Sequence, residues 1–441
     1  MNDTALATGP VDVDYRNLEA PLYRWPATPK SKLTISGAEA SLPEHIAEFQ
    51  QTLRDFAINV VRPIGIELDK LSPEEVIAKD SRFWEFREKY LELGVTIEAL
   101  SEMPPREAAL LFSILFEELG YGDAGLAISV GAGILPQWLS AKFGRADLLE
   151  EFPDAMLGCW GITEPDHGSD MLDPNGAAAQ PGGKYGRPNL VADLTGDDII
   201  LNGQKAAWVS NGVIADVCIL YCAADSGNGV DPHNGCVLVF PMNLPGISRG
   251  KPLDKMGQRA LNQGEIFFDN VKVPVDCRLG GEGEGWSVAM ATAGFERGLM
   301  LRSPARFQET AKRLVELYKA NQETADEDPS IREAVLRAYM DAEAYCLTTY
   351  QTACRLMQGG KIGAEASTNK IFWSELDQQM HATALKILET RGELLPESPD
   401  AGDVGRWLDG WLFAQSGPIY AGTNEIQRNI IAERMLGMPR K

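Results

Sequence analysis

The chain of 441 residues predicts an α+β protein built in three consecutive parts: an N-terminal helical domain, a small middle β domain of barrel or sandwich type, and a C-terminal helical bundle. Three observations predict it. Apolar residues recur at helical spacing up to about residue 155, short apolar runs then alternate with Gly, Asp, Asn and Pro, and helical periods return from Gly285 almost to the end. The expected divisions are an extended arm at 1–40, the helical domain at 41–155, the β domain at 156–280 and the bundle at 281–441.

Residues 1–40 carry scattered prolines and no sustained period, which suits an arm lying over the body or a partner subunit. Ser41-Leu-Pro-Glu44 has the form of a capping box, and Ile46, Phe49, Leu53, Phe56 and Val60 follow at helical spacing. Ser72-Pro-Glu-Glu75 repeats that start signal, and Phe83, Phe86, Tyr90 and Leu93 give one amphipathic helix stopped by Gly94. Arg106 to Gly120 is apolar almost all round, as a buried helix is. The runs 197–203, 217–222, 237–240, 266–268 and 271–273 are bounded by turn residues and read as strands. The long segments 285–322, 329–358 and 361–394 read as antiparallel helices of the bundle.

A formal net charge of −22 argues against nucleic acid or an anionic membrane as partner, because both require basic patches. The seven cysteines form no C-x-x-C pair, and with four histidines no zinc-ligand spacing arises. Cys218 and Cys222 fall on one face of a strand and are expected in the core. The first ten residues lack the basic start and apolar run of a leader, and no run of eighteen apolar residues occurs, so a reduced, cytoplasmic protein is expected.

The last helix opens on Ile419-Tyr-Ala-Gly-Thr-Asn-Glu-Ile-Gln-Arg428. Gly422 lets the backbone turn sharply and Thr423 can cap, so the first N–H groups either receive a phosphate or carboxylate or simply begin a helix. Tyr420 to Arg428, with Arg434-Met-Leu-Gly437 behind it, resembles the C-terminal signature of the acyl-CoA dehydrogenase family of flavoproteins. Trp160-Gly-Ile-Thr-Glu-Pro-Asp-His-Gly-Ser-Asp170 resembles that family's strand-and-loop signature, and Asn202 to Gly212 resembles its partner motif. Lys255-Met-Gly-Gln-Arg259 with Phe267 to Pro274 is similar to its closing β segment. The resemblance spans about residues 45–441 and implies the family's helical, β and four-helix-bundle layout.

The resemblance implies FAD as cofactor, contacted by Trp160, Ile162, Thr163, Trp208, Ser210, Thr423 and Glu425, with Glu425 meeting the adenosine part or pointing away. It implies acyl-CoA contacts at Ser169 and Arg297. His167, inside the first loop, has no role in the family and is expected to be a surface or loop residue. Many members carry the catalytic glutamate just before Gly-Thr, where this chain has Ala421; in a subset it comes from the first helix after the β domain, and Gly294-Phe-Glu-Arg-Gly298 matches that position with Glu296. Ala421 keeps its backbone N–H, the donor that the family turns toward the substrate carbonyl.

Two departures accompany these matches. Lys319 to Pro329 replaces the family's Arg-x-x-Phe-Gly, which many members lend to a neighbouring subunit's FAD, and Ile387 to Leu395 replaces a glycine-rich segment. Both resemble a divergent bacterial branch, some of whose members form heterotetramers with a degenerate subunit. The expectation is α,β-dehydrogenation of an acyl-CoA by a tetramer that passes electrons to an electron-transfer flavoprotein. The alternatives are a flavin oxidase on the same fold and a non-catalytic partner subunit.

Overall fold

The computed structural model describes residues 42–172, 186–281, 283–295, 303–357, 363–396 and 398–439. The expected arm at 1–40 and the residues Glu296 and Arg297 lie outside the described residues.

The first layer is helical throughout. The helix Glu44–Phe56 begins behind Pro43 without a side-chain cap, and Ser41, the first residue of the expected box, lies outside the described residues. Ser72 and Glu75 do form a capping box, but the helix it opens, Pro73–Val76, lasts one turn. Phe83, Phe86 and Tyr90 belong instead to a second helix, Arg82–Glu92, capped by Ser81, so the single helix expected here is two. A serine competent to cap stands at both starts, and the chain uses both. The helix Pro105–Gly122 is buried from Leu110 to Gly120, and Leu111, Leu115, Phe116 and Leu119 lie in the core that it shares with Glu44–Phe56. Glu118, inside that core, pairs with Arg54, and Gln50 reaches both Glu118 and Tyr350 of the bundle at 3.0 and 3.4 Å.

Among the described residues the middle layer is a mixed sheet of eight strands: β1 Gly158–Gly161, β2 Leu190–Asp193, β3 Asp198–Ser210, β4 Val217–Asp225, β5 Val230–Pro241, β6 Ile247–Arg249, β7 Gln263–Pro274 and β8 Arg278–Leu279. Its main path runs β6-β7-β3-β2-β4-β5-β8, and β1 shares one edge of β4 with β2. β1 pairs in parallel with 217–220 and β2 in parallel with 223–225. The runs at 266–268 and 271–273 are one strand, β7, whose register against β3 shifts between Leu201 and Gly203. Asn270 marks the irregularity with φ +50°, and its N–H donates to Asn202 Oδ1 at 2.9 Å. The sheet interior holds Cys159, Cys218, Cys222 and Cys236, all free and buried, as expected for Cys218 and Cys222.

The third layer contains the helices Gly285–Phe295, Pro304–Ala320, Pro329–Met357, Glu365–Leu388 and Gly405–Ala414. Phe307, Tyr345, Trp373 and Met380 interlock at its centre, with Phe307 edge-on to Tyr345 at 5.0 Å. A buried pair, Arg306 and Asp377 at 2.8 Å, joins Pro304–Ala320 to Glu365–Leu388. The last helix, Asn424–Ile430, continues into a wider turn at Ile431–Met435. Among the described residues no single helix is long and apolar enough to cross a membrane.

Candidate active site

The two sequence motifs of the β layer meet directly. Trp160 lies on β1, Ile162 and Thr163 follow its last residue, and the Thr163 carbonyl accepts the N–H of Ala206 on β3 at 2.9 Å. Two residues further along β3 stands Trp208, with 61% of its surface uncovered beside buried Val209. A large ring left bare beside a packed strand is a contact surface awaiting a partner. Ser210 closes β3 and is half-buried.

A buried ion pair sets this loop. Lys205 and Glu164 are both fully buried with Nζ and Oε1 2.7 Å apart, and Lys205 also donates to the Ile162 carbonyl at 3.0 Å. The other Glu164 oxygen accepts from the Asn189 N–H at 2.6 Å. His167 sits in the loop as expected, but it is buried rather than superficial, with 3% of its surface exposed. One ring nitrogen faces Asp170 Oδ2 at 2.6 Å and the other the Arg187 carbonyl at 2.8 Å. Both partners are acceptors, an arrangement that favours the ring carrying a proton on each nitrogen. Burial draws its pKa down, yet the Asp170 carboxylate and the Arg187 carbonyl outweigh that and raise it. Ser169 is exposed in the short turn after this loop.

The second half of the site is the turn before the last helix. Ala421 and Gly422 are both left-handed, with φ of +55° and +84°. Their carbonyls each accept from Gln427 Nε2 at 3.1 Å, and Gln427 is fully buried. A side chain at position 422 would meet that nitrogen at 2.6 Å, so glycine is required by space as well as by φ. With the carbonyls turned inward, the amide N–H groups of Ala421 and Gly422 have no acceptor among the described residues. Thr423 accepts from the Ile426 N–H at 3.4 Å as the cap of the helix. Behind it, Asn424 accepts from buried Lys370 at 2.8 Å and from Ser374 at 3.2 Å. Glu425 is exposed, and hydrogen bonds from its own N–H and from Thr423 lower its carboxyl pKa.

The loop 250–262 bridges the halves. Gly257 lies so close to the helix Gly405–Ala414 that a side chain there would strike Phe413 at 2.6 Å. Gln258 Nε2 reaches Ser416 Oγ at 3.4 Å, just before the Ala421 turn, and Gln263 Nε2 reaches Ser210 Oγ at 3.3 Å. Asn211, fully buried after Ser210, holds the same corner through Ser129 Oγ at 2.8 Å and the Gly158 carbonyl at 3.1 Å. In that loop burial, with Arg259 nearby, draws Lys255 down to about 7. Among the described residues no cluster of His, Cys, Asp or Glu could hold a metal ion.

Sequence reasoning did not assign roles to Glu164, Lys205, Asn211, Gln263, Lys370 or Gln427. The signal for Gln427 was available as its spacing of five from Gly422. That for Gln263, a residue of an unremarkable strand, was not, because it acts across strands.

Comparison with known proteins agrees with this geometry. Residues 159–271 match the family model for the acyl-CoA dehydrogenase middle domain, and residues 283–436 that for the acyl-CoA dehydrogenase C-terminal domain. The chain is 32% identical over 289 residues to acyl-CoA dehydrogenase IpdE1 of Mycobacterium tuberculosis, covering 65% of this chain and 68% of the relative. It is 27% identical over 415 residues to the mitochondrial short-chain specific acyl-CoA dehydrogenase of Bos taurus, covering 90% and 91%. Butyryl-CoA dehydrogenase from Megasphaera elsdenii superposes with a TM-score of 0.70 at 25% identity, covering 90% of this chain and 99% of that one.

The chain belongs to the acyl-CoA dehydrogenase family. It is accordingly an FAD-dependent oxidoreductase of that family. The residues present fit the cofactor: an uncovered indole on β3, a hydroxyl on Ser210, and N–H groups without a described acceptor at a left-handed turn are an aromatic face and donors that a planar, carbonyl-bearing ring system requires.

Proposed function

We propose that this enzyme converts an acyl-CoA thioester to the trans-2-enoyl-CoA, with Glu296 as the base that removes the α-proton and the Ala421 N–H as a donor to the thioester carbonyl. The observation that carries the reading is the left-handed turn at Ala421 and Gly422, with φ of +55° and +84° and both carbonyls bonded by Gln427. An α-proton beside a thioester is weakly acidic, so the developing oxyanion must be met by preorganised donors. Backbone N–H groups serve regardless of the side chain, and alanine at 421 retains that function while giving up any role as base.

Bound FAD supplies the acceptor for the β-hydride. The proton then needs a carboxylate from elsewhere, and the similarity of Gly294 to Gly298 to the helix-borne base of some family members supports Glu296. Its sequence neighbours Phe295, Leu299 and Met300 are apolar, and apolar surroundings raise a carboxyl pKa toward the range useful to a base. Trp160, Ile162, Thr163, Trp208, Ser210, Thr423 and Glu425 would contact the cofactor. Ser169 and Arg297 would meet the acyl-CoA, Arg297 giving its phosphates a local cation on a chain of net charge −22. Reoxidation by an electron-transfer flavoprotein, and assembly as a homotetramer or with a related subunit, are part of the same proposal.

The test is anaerobic addition of a panel of acyl-CoA thioesters to the purified holoprotein while the flavin band is followed. Bleaching by one class identifies the acyl group. Glu296→Gln should bind FAD normally and lose turnover by roughly a hundred- to ten-thousand-fold; unchanged turnover would sink Glu296 as base. Bound flavin that no thioester bleaches would point to another substrate class, rapid reoxidation by oxygen to an oxidase, and failure to bind FAD at all to a partner subunit.

A further inference from the structure

Ser210 and Gln263 stand directly opposite each other on antiparallel β3 and β7. Side chains at such a pair share one face of the sheet. Gln263 Nε2 donates to Ser210 Oγ at 3.3 Å and to the Trp208 carbonyl at 3.1 Å, while Gln263 Oε1 accepts from Lys255 Nζ at 3.1 Å. Lys255 also donates to the Leu261 carbonyl at 2.5 Å.

The orientation of a glutamine amide is ordinarily a matter of inference from its neighbours. Here both ends decide it. An ammonium only donates, so the oxygen must face Lys255, and a carbonyl only accepts, so the nitrogen must face Trp208. The Trp208 end holds the amide in place whether or not Lys255 carries its third proton. Ser210 Oγ therefore receives a hydrogen bond from Gln263, and its own proton must point to a different acceptor. No described residue accepts it.

We propose that Lys255 and Gln263 are positioning residues that fix the Ser210 hydroxyl as a hydrogen-bond donor to the bound flavin ring. The inference rests on the reading of Ser210 as a flavin contact. It assigns the donor direction to a two-residue relay reaching back through the 250–262 loop. That loop also touches Ser416 through Gln258, so the strand side and the Ala421 side of the site share one support.

The experiment measures the visible spectrum and two-electron midpoint potential of FAD-loaded protein, and the affinity of apoprotein for FAD, in Ser210→Ala, Gln263→Leu, Gln263→Glu and the double variant Ser210→Ala/Gln263→Leu. Ser210→Ala and Gln263→Leu should each weaken FAD binding about 3- to 10-fold and shift the flavin bands and potential in the same direction. The double variant should go no further than either single one. Gln263→Glu is the sharper variant, because it keeps the Lys255 contact but offers Ser210 only an acceptor, which turns the hydroxyl proton inward. Its flavin spectrum should match that of Ser210→Ala, while its unfolding midpoint falls no further than that of Gln263→Leu, which also loses the bond to the Trp208 carbonyl. If Gln263→Leu does not fold, Lys255→Met and Gln263→Glu carry the test. A change in Ser210→Ala with none in the Gln263 or Lys255 variants overturns the relay and leaves Ser210 as a flavin contact. No change in Ser210→Ala overturns that contact itself, and the relay with it.

Discussion

The two turns that frame the site are held by different physics. The loop from Thr163 to Asp170 is held by charge: a fully buried Lys205–Glu164 pair at 2.7 Å and the His167 ring beside the Asp170 carboxylate at 2.6 Å. The turn from Tyr420 to Asn424 is shaped mainly by amides, with Gln427 on the Ala421 and Gly422 carbonyls and Asn424 accepting from Lys370. Charges held out of water are strong only while paired, whereas amides lose one hydrogen bond at a time. The first loop should therefore fail abruptly and respond to pH near neutrality, and the second should loosen gradually and change little with pH near neutrality.

The largest break expected in that contrast is Lys205→Met. It leaves the Glu164 carboxylate buried without its cation, at a cost of about 3–5 kcal/mol, read as a fall in the denaturation midpoint. Adding Glu164→Gln should recover part of the loss. If Lys205→Met costs less than about 1 kcal/mol, the loop is not held by charge. Gln427→Ala should cost less, about 1–3 kcal/mol, because it strands two carbonyls that can partly reach water. The same variant should weaken turnover without altering the pH dependence of stability.

The smallest effect sharpens the comparison through pH. The folded pKa of His167 lies above its unfolded value of 6.5, so its contribution is full below pH 6.5 and is lost as pH rises through the folded value. Melting temperatures of His167→Gln should run flatter than wild type over that rise. Parallel curves would show that His167 does not titrate as part of the lock.

Much of the layout was legible in sequence because periodicity reports burial. The run from Arg106 to Gly120 and the long bundle helices follow directly from it. The errors were local. Ser81 captured a helix start that the Ser72 box was expected to supply, and the runs at 266–268 and 271–273 merged because one left-handed residue, Asn270, absorbs the irregularity between them. Within the candidate site, Trp160, Thr163, Trp208, Ser210 and Thr423 were proposed through motif resemblance. Gln427 and Gln263 were not, since a buried amide serving another residue's backbone or hydroxyl leaves no pattern along the chain.

By itself the sequence determined the order of helical, β and helical parts, the family, and the loss of a titratable group at Ala421. These are properties of residue type and spacing, which the chain carries unfolded. Only the tertiary structure decided that His167 is buried between two acceptors, that Gln427 turns two carbonyls inward, and that Gln263 sets the polarity of Ser210. Each of these depends on the direction of a hydrogen bond between residues apart in sequence, and that direction exists only once packing has chosen the partner.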